Sequence, residues 1–452
     1  MIHRVNLLLP IAYVVVSFFG FSGIWTPSVN AQTRDEMVRE DRRKVTEDGF
    51  WIYNDLPKAF AEARKTGKPI LVVLRCIPCH ECVKLDDELV DKDPVIRPLL
   101  DQFVCARQVS TNGLDLSQFQ YDTDQSFAVF MLNADGTVYG RFGTRSHRTE
   151  WYGDVSLPGM AKALQGALEL HQGYPANRAL VTGKRGGKPE VASPELYPSL
   201  QDRFTDSLDY SGDVAKSCIH CHQIGDAQRQ FHWSKNRGIP ENVLFPYPHP
   251  KSIGLTLDPA ECATVKGIDP DSAADRAGLE VGDRIERFSD QRPLSFADIQ
   301  WVLHQTPVEG GSIPMRVIRG DRDLALTLEL AEGWRAKSDI SWRVSTWGLR
   351  RMVTGGMVLE PAGEEKRVQS GVADGQAALL VKRAGKYGPH AAARRAGFQE
   401  GDVIVSYDGR TNFSDEKALI HYAATQLSPG KSVPVVVRRG NREVSLQLPI
   451  QP

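Results

Sequence analysis

Ser272-Ala273-Ala274-Asp275-Arg276-Ala277-Gly278-Leu279-Glu280-Val281-Gly282-Asp283-Arg284-Ile285 returns, slightly altered, as His390-Ala391-Ala392-Ala393-Arg394-Arg395-Ala396-Gly397-Phe398-Gln399-Glu400-Gly401-Asp402-Val403-Ile404. A second matching pair follows: Arg319-Gly320-Asp321-Arg322-Asp323-Leu324-Ala325-Leu326-Thr327-Leu328 and Arg439-Gly440-Asn441-Arg442-Glu443-Val444-Ser445-Leu446-Gln447-Leu448. The intervals agree to within one residue. Such self-similarity means that one supersecondary unit is built twice. In each unit a short helix packs its alanines, Gly278 or Gly397 ends it, and a Gly-Asp pair turns into a strand. Alternation at Leu324, Leu326, Leu328 and at Val444, Leu446, Leu448 predicts the last strand of each sheet.

The signature Ser-x-Ala-x-x-Ala-Gly-Leu-x-x-Gly-Asp-x-Ile resembles the PDZ domain of the bacterial type, with copies expected at 246–332 and 341–452. The resemblance implies binding of extended peptides, commonly C-termini, by strand addition at an open sheet edge. In the family the peptide carboxylate is held by backbone N–H groups of a hydrophobic-Gly-hydrophobic loop. Ile253-Gly254-Leu255 fits that role in the first copy. Trp347-Gly348-Leu349 is the candidate in the second, which carries an insertion-like stretch from Pro361 to Asp374. Opposing walls would come from helices near Phe296 to Leu303 and Glu416 to Tyr422. Such repeats often accompany an exported serine protease. No Gly-Asn/Asp-Ser-Gly-Gly segment and no His…Asp…Ser set stands upstream, which disfavours protease activity.

Upstream, Pro175, Gly183, Gly186, Gly187, Pro189 and Pro194 punctuate a linker-like stretch. The segment 193–245 that follows is mostly polar, with modest helical spacing over Leu196 to Tyr210 and Val214 to Cys221. It contains Cys218-Ile219-His220-Cys221-His222, a C-x-x-C-H. On a helix the two thiols can bond to the vinyl groups of one haem while the adjacent imidazole reaches the iron. The motif resembles that of c-type cytochromes, which implies a c-type haem on Cys218 and Cys221 with His222 on the iron. No methionine lies between Met160 and Met315, so His232 and His249 are the candidates for the second axial position. Zinc held by Cys218, Cys221 and nearby histidines, or a plain disulfide or redox pair, uses the same residues.

A second cysteine cluster stands at Cys76-Ile77-Pro78-Cys79-His80-Glu81-Cys82, directly after the apolar run Ile70 to Leu74. Cys76 to His80 reads as C-x-x-C-H, and Cys79 to Cys82 as C-x-x-C. A local disulfide, or a closed zinc site of three Cys and one His, is also compatible with these residues. Around the cluster, helical spacing runs from Leu56 to Lys65 and from Val95 to Phe103. Strands are expected at 69–74, 104–109 and 127–132. Asn133-Ala134-Asp135-Gly136 turns the last of these into a hairpin with 137–142, and a helix from Pro158 to His171 closes the unit.

This order resembles the thioredoxin fold, expected over 48–175. The resemblance puts the redox pair on Cys79, the nucleophile, and Cys82, the resolving thiol. A thiol at a helix N-terminus has its thiolate stabilised by free N–H groups and the helix dipole. The sequence departs from the family at two places. Val73 stands where thioredoxins carry a buried acid, and Asp124-Gln125-Ser126-Phe127 lacks the proline that usually faces the disulfide.

Residues 32–48 are charged and without periodicity, which reads as a flexible lead-in. Before them, the apolar stretch from Val5 to Trp25 ends in Val29-Asn30-Ala31, the pattern of a signal peptide (1–31) cleaved after Ala31. Export to the periplasm, or a similar space outside the cytoplasm, follows as an expectation, with no durable membrane span. An uncleaved anchor is the other reading of this stretch. Lys plus Arg is 55 and Asp plus Glu is 56, a balance that argues against nucleic acid. Five of the seven cysteines fall in the two clusters, which favours local chemistry over stapling.

The fold class expected is therefore α/β and α+β multidomain: a thioredoxin-like fold, a short C-x-x-C-H segment and two PDZ domains. The function expected is an exported redox protein, acting by thiol–disulfide exchange or electron transfer, whose PDZ domains bind partner peptides. A non-catalytic PDZ scaffold with structural cysteine or zinc sites, and a c-type haem electron carrier, are the competing readings.

Overall fold

Residues 34–48, the expected flexible lead-in, form a helix. The computed structural model describes residues 33–75, 93–125, 127–144, 155–373 and 375–452, and α1 (Arg34–Asp48) opens it. Its only buried residues, Val38 and Val45, lie two turns apart on one face. Asp41 on this helix binds Arg75 at 2.7 Å. Two valines among so many charges are too sparse to register as periodicity, so tertiary contact decides this helix.

The thioredoxin-like region then runs β1 (Ile52–Tyr53), α2 (Leu56–Thr66), β2 (Ile70–Arg75), α3 (Ile96–Leu100), β3 (Val104–Gln108), β4 (Phe127–Leu132), β5 (Val138–Thr144) and α4 (Leu157–Gln172). Local chemistry sets the helix ends. Asp55 caps α2 by accepting from Lys58 N–H, and Gly67 ends it in the left-handed conformation; Ser156 caps α4. The sheet order is β1-β3-β2-β4-β5. β1 and β2 pair parallel with β3, and the β4–β5 hairpin is antiparallel. Central β2 is buried along its whole length, as a strand covered on both faces must be.

Between this region and the first repeat, the linker-like residues are packed rather than loose. Lys184 has no exposed surface and reaches Asp298 at 2.7 Å. The Gly183 carbonyl accepts from Trp301 Nε1 and Gln291 Nε2. Residues 196–210 form turns rather than a helix, and α5 (Cys221–Trp233) is the main helix of the middle segment.

The first repeat comprises β6 (Leu255–Leu257), β7 (Val265–Ile268), β8 (Arg284–Phe288), α6 (Phe296–Gln305), β9 (Gly311–Arg319) and β10 (Arg322–Leu330). The second comprises α7 (Thr346–Thr354), β11 (Met357–Pro361), β12 (Leu379–Ala384), β13 (Val403–Tyr407), α8 (Glu416–Gln426), β14 (Ser432–Arg439) and β15 (Arg442–Pro449). The same frame holds both. Asp283, fully buried, takes a two-pronged bond from Arg319, and Asp402 takes one from Arg439. Each Arg also caps the carbonyl of the helix-ending glycine, Gly278 or Gly397. That is why Gly-Asp and Arg-Gly recur together in the sequence. Arg34–Pro452 forms one compact unit. Among the described residues no helix is long and apolar enough to cross a membrane.

Candidate functional site

The first cysteine cluster, Cys76, Cys79, His80 and Cys82, lies outside the described residues. Its surroundings are described up to Arg75, the last residue of β2, which is 3% exposed and tied to Asp41. Across the sheet, the loop before β4 is held by Arg343. The guanidinium donates to both Asp122 oxygens at 2.5 and 2.9 Å and to Asp124 Oδ2 at 3.1 Å. Burial raises the Asp124 pKa, but the charges of Arg343 and Arg229 and the Ser345 hydrogen bonds outweigh it and hold the carboxyl below its ordinary value.

The second cluster sits at the end of β3. Cys218 Sγ lies 3.9 Å from the Val109 carbonyl, one residue past that strand. Asn112 and Thr111 fix the backbone between the two thiols: Ile219 N–H donates to Asn112 Oδ1, and the Ile219 carbonyl accepts from Thr111. Cys221 is the first residue of α5, and its sulfur accepts from the Tyr121 hydroxyl at 3.0 Å. Because β2 and β3 are parallel neighbours in the middle of the sheet, the pair lies at the C-terminal end of these strands, where β2 ends one residue before Cys76. Burial pushes the Cys218 thiol up to about 11 and raises Cys221 as well, against the Tyr121 hydrogen bond. Burial likewise pushes His220 down to about 4, and its ring stacks on His222 at 5.8 Å.

This arrangement does not fit a haem on Cys218 and Cys221. Both sulfurs are committed to protein packing. A cavity of about 400 Å³ lies along α5, lined by Tyr121, Ile224, Gln228 and His232 but by neither cysteine nor His222. His222 and His232 lie ten residues apart on one helix, roughly 15 Å along its axis, so they cannot ligate one iron from opposite sides. His249 instead accepts from Lys251 N–H at the start of the first repeat. Among the described residues, no group of three or more His, Cys, Asp or Glu is placed to hold a metal ion.

In the first repeat, Gly254 is left-handed (φ 78°) immediately before β6, as a carboxylate loop requires. A Cβ there would meet Ser272 at 2.1 Å. Gly254 N–H itself closes a turn on Lys251, so Gly254 shapes the loop, and the flanking residues would supply its donors. The parity of the β6–β7 ladder puts Leu255 and Leu257 on the open edge. In the second repeat, Trp347, Gly348 and Leu349 lie inside α7 and form no loop. The equivalent turn is Gly355-Gly356-Met357: Gly356 has φ 85°, its Cβ would meet His390, the counterpart of Ser272, and β11 starts at Met357. The signal was present, since Gly254-Leu255-Thr256-Leu257-Asp258-Pro259-Ala260 parallels Gly356-Met357-Val358-Leu359-Glu360-Pro361-Ala362. Trp347-Gly348-Leu349 matched the loop pattern locally, outside that register. Tyr121 and Asn112, which hold the second cluster, sit in irregular chain and gave no periodic sign.

Both grooves are closed. In the first, Phe142 of β5 joins Thr256, Leu257, Ser295 and Phe296 around a cavity of only about 40 Å³. In the second, Leu359 N–H on the open edge donates to Glu416, which Arg350 grips with two bonds.

Comparison with known proteins agrees with two of these regions. A thioredoxin-like family model matches residues 51–134, and a PDZ-domain family model matches residues 264–319. No curated protein matches the chain. Among solved structures, the serine endoprotease from Yersinia pestis is 28% identical over 18% of this chain and 28% of its own, with a TM-score of 0.16. The HtrA-type protease AlgW with decapeptide is 18% identical over 31% of this chain and 55% of its own, with a TM-score of 0.19. The chain thus spans less than two thirds of the length of either protein. It carries a thioredoxin-like domain, a fold that points to redox work, and a PDZ domain, a module that points to peptide or protein binding.

Proposed function

We propose that this is an exported dithiol redox protein whose two PDZ-type repeats select its partner. The observation that carries this reading is the seating of the Cys218–Cys221 pair at the C-terminal end of β2 and β3 in the thioredoxin-like sheet, where β2 leads into the first cluster. Cys79 thiolate attacks a substrate disulfide and releases one substrate thiol. Cys82 then displaces the second and leaves a Cys79–Cys82 disulfide, so two electrons pass to the substrate. Cys218 and Cys221 form a second dithiol. One of these thiols, on losing its proton, attacks the Cys79–Cys82 disulfide, and the other displaces the mixed species, which leaves a Cys218–Cys221 disulfide and two thiols at Cys79 and Cys82. Burial, which keeps both protonated at neutral pH, slows this step and shields the pair as a reserve. Residues 341–452 act as a second PDZ domain, and signal segment 1–31 directs export.

Insulin disulfide reduction tests the first step: turnover falls to background in Cys79→Ser, and unchanged turnover sinks the enzyme reading. An anaerobic single-turnover titration tests the second. Fully reduced wild type reduces two disulfides per chain, and the Cys218→Ser/Cys221→Ser variant only one. One disulfide for both proteins would favour a structural role for the second pair, to which its burial also lends support. A Soret band retained after acid extraction and lost in Cys218→Ala would replace this reading with a haem carrier.

A further inference from the structure

Arg229 on α5 is 2% exposed, yet none of its three guanidinium nitrogens has a hydrogen-bond partner among the described residues. The nearest carboxylate oxygen, Asp226 Oδ1, is 3.9 Å away and also lacks a partner. A buried guanidinium presents five N–H donors, and leaving them unmade is costly enough that native proteins rarely do so. The other buried arginines nearby each leave only one nitrogen without a hydrogen-bond partner among the described residues. Arg343 binds Asp122, Asp124 and the Pro246 carbonyl. Arg335 donates to four backbone carbonyls. Arg141 donates to those of Gln120 and Lys184.

Arg229 lines the cavity of about 400 Å³. Tyr197, Tyr247 and Trp301 give it flat apolar walls. The one buried acid on its lining, Asp124, has both oxygens occupied, by Ser345 N–H on one side and by Ser345 Oγ and Arg343 on the other. Charge at this junction leans positive. Arg141, Arg229, Arg335, Arg343 and Lys184 are buried here, against Asp122, Asp124 and Asp298 with Asp226 beside them. The lining is mixed: aromatic walls, amides, Arg229, Asp124, and Glu190, which is mostly exposed and lies 3.6 Å from His232; a few convergent polar groups beside aromatic walls are the usual make-up of a small-molecule site.

We propose that this cavity binds a small aromatic carboxylate, with its carboxylate on the Arg229 guanidinium, which lacks a hydrogen-bond partner among the described residues, and its ring against the aromatic lining of Tyr197 and Tyr247. Guanidinium and carboxylate match as a two-pronged pair. The proposal does not rest on the dithiol chemistry, although Tyr121 on the cavity lining also donates to Cys221.

Isothermal titration of the full chain with benzoate and phenylacetate tests this, with benzamide as the uncharged isostere. Saturable one-to-one binding of a carboxylate, with a matching rise in Tm, is expected. Arg229→Met weakens it about tenfold to a hundredfold, while Arg203→Met, on the exposed surface, leaves it unchanged. Absence of any carboxylate binding to wild type overturns the proposal whether or not the variant folds. So does equal affinity for benzamide, or equal affinity in a folded Arg229→Met. A crystal structure grown with benzoate in which only water meets Arg229 overturns it too.

Discussion

The two C-terminal repeats share one frame and are closed by opposite means. In the first, the wall helix α6 is buried from Phe296 to Leu303 because the thioredoxin-like domain packs onto it. Ser295 donates to the Arg141 carbonyl at 2.6 Å, and Asp298 accepts from Arg141 N–H and from Lys184. Leu294 enters where Gly140 and Gly166 leave space; a Cβ on either would lie within 2.7 Å of it. In the second, the lock is internal. Arg350 on α7 holds Glu416 on α8, and Glu416 takes the N–H of Leu359 on the edge strand. A groove closed by a neighbouring domain opens when the domains part. A groove closed by its own residues opens only when the repeat itself changes. The first repeat is therefore the one whose peptide site can be regulated by the rest of the chain.

The largest effect is expected at the first lock. Asp298→Ala leaves Lys184 and Arg141 buried without their carboxylate, which costs about 3–5 kcal/mol. Urea unfolding measures that loss. The same variant frees the groove around Leu255 and Leu257, so a C-terminal hydrophobic peptide binds more tightly in fluorescence polarisation. A large loss of stability with no gain in peptide binding would break the distinction between the two closures.

At the second lock, Glu416→Ala strands a nearly buried Arg350 and the Leu359 N–H. The expected cost is about 2–3 kcal/mol, typical for a charge-assisted pair with one partner removed. Amide exchange locates it: protection falls along β11 and the start of α8, while α6 is unaffected. If α6 also loses protection, the two repeats are coupled and the comparison fails.

Acid separates the repeats by a smaller margin. His304 on α6 stacks on Tyr247 at 4.0 Å and accepts from its N–H. Burial first, then Arg335, Arg343 and Arg141, push it down to about 3. Its folded value lies below the ordinary imidazole value near 6.5. Its stabilising share is therefore complete above pH 6.5 and is lost as pH falls from there towards 3. Between pH 6.5 and 4.5 the first repeat loses about 2 kcal/mol, seen as faster exchange in α6, and His304→Asn flattens that dependence. Ala424 occupies the equivalent place on α8, so the second repeat lacks this source of acid sensitivity.

How much of this could be read beforehand follows from where the information lies. Repeats and alternating strands are local patterns, and Ser272 to Ile285 with its copy carried the frame of both units. The order of helices and strands over the described residues from 56 to 172 was equally legible, because buried β2 and β4 are unbroken apolar runs, whereas the two-residue β1 was not foreseen. The closures were not. Asp298, Lys184 and Arg343 look like surface charges in a sequence, and their partners lie about 100 to 200 positions away. The helix 34–48 was missed for the same reason, since Val38, Val45 and Asp41 acquire meaning only against Val109 and Val214, the sheet core, and Arg75 respectively. At the candidate site, the cysteines announced themselves, while Tyr121 and Asn112 did not.

The smallest effect tests the shared frame itself. Asp283 and Asp402 hold Arg319 and Arg439 in the same geometry, so Asp283→Asn and Asp402→Asn each keep an acceptor and lose the charge assistance. About 1 kcal/mol is expected from each. The first repeat has one further anchor: Arg319 also binds Glu280, whereas the matching residue in the second repeat is Gln399. Asp283→Asn should therefore cost a few tenths of a kcal/mol less than Asp402→Asn, at the limit of what parallel denaturation curves resolve. Equal or inverted losses would mean that Glu280, which is mostly exposed, adds nothing. The two frames would then be interchangeable, and every difference between the repeats would lie in what covers their grooves.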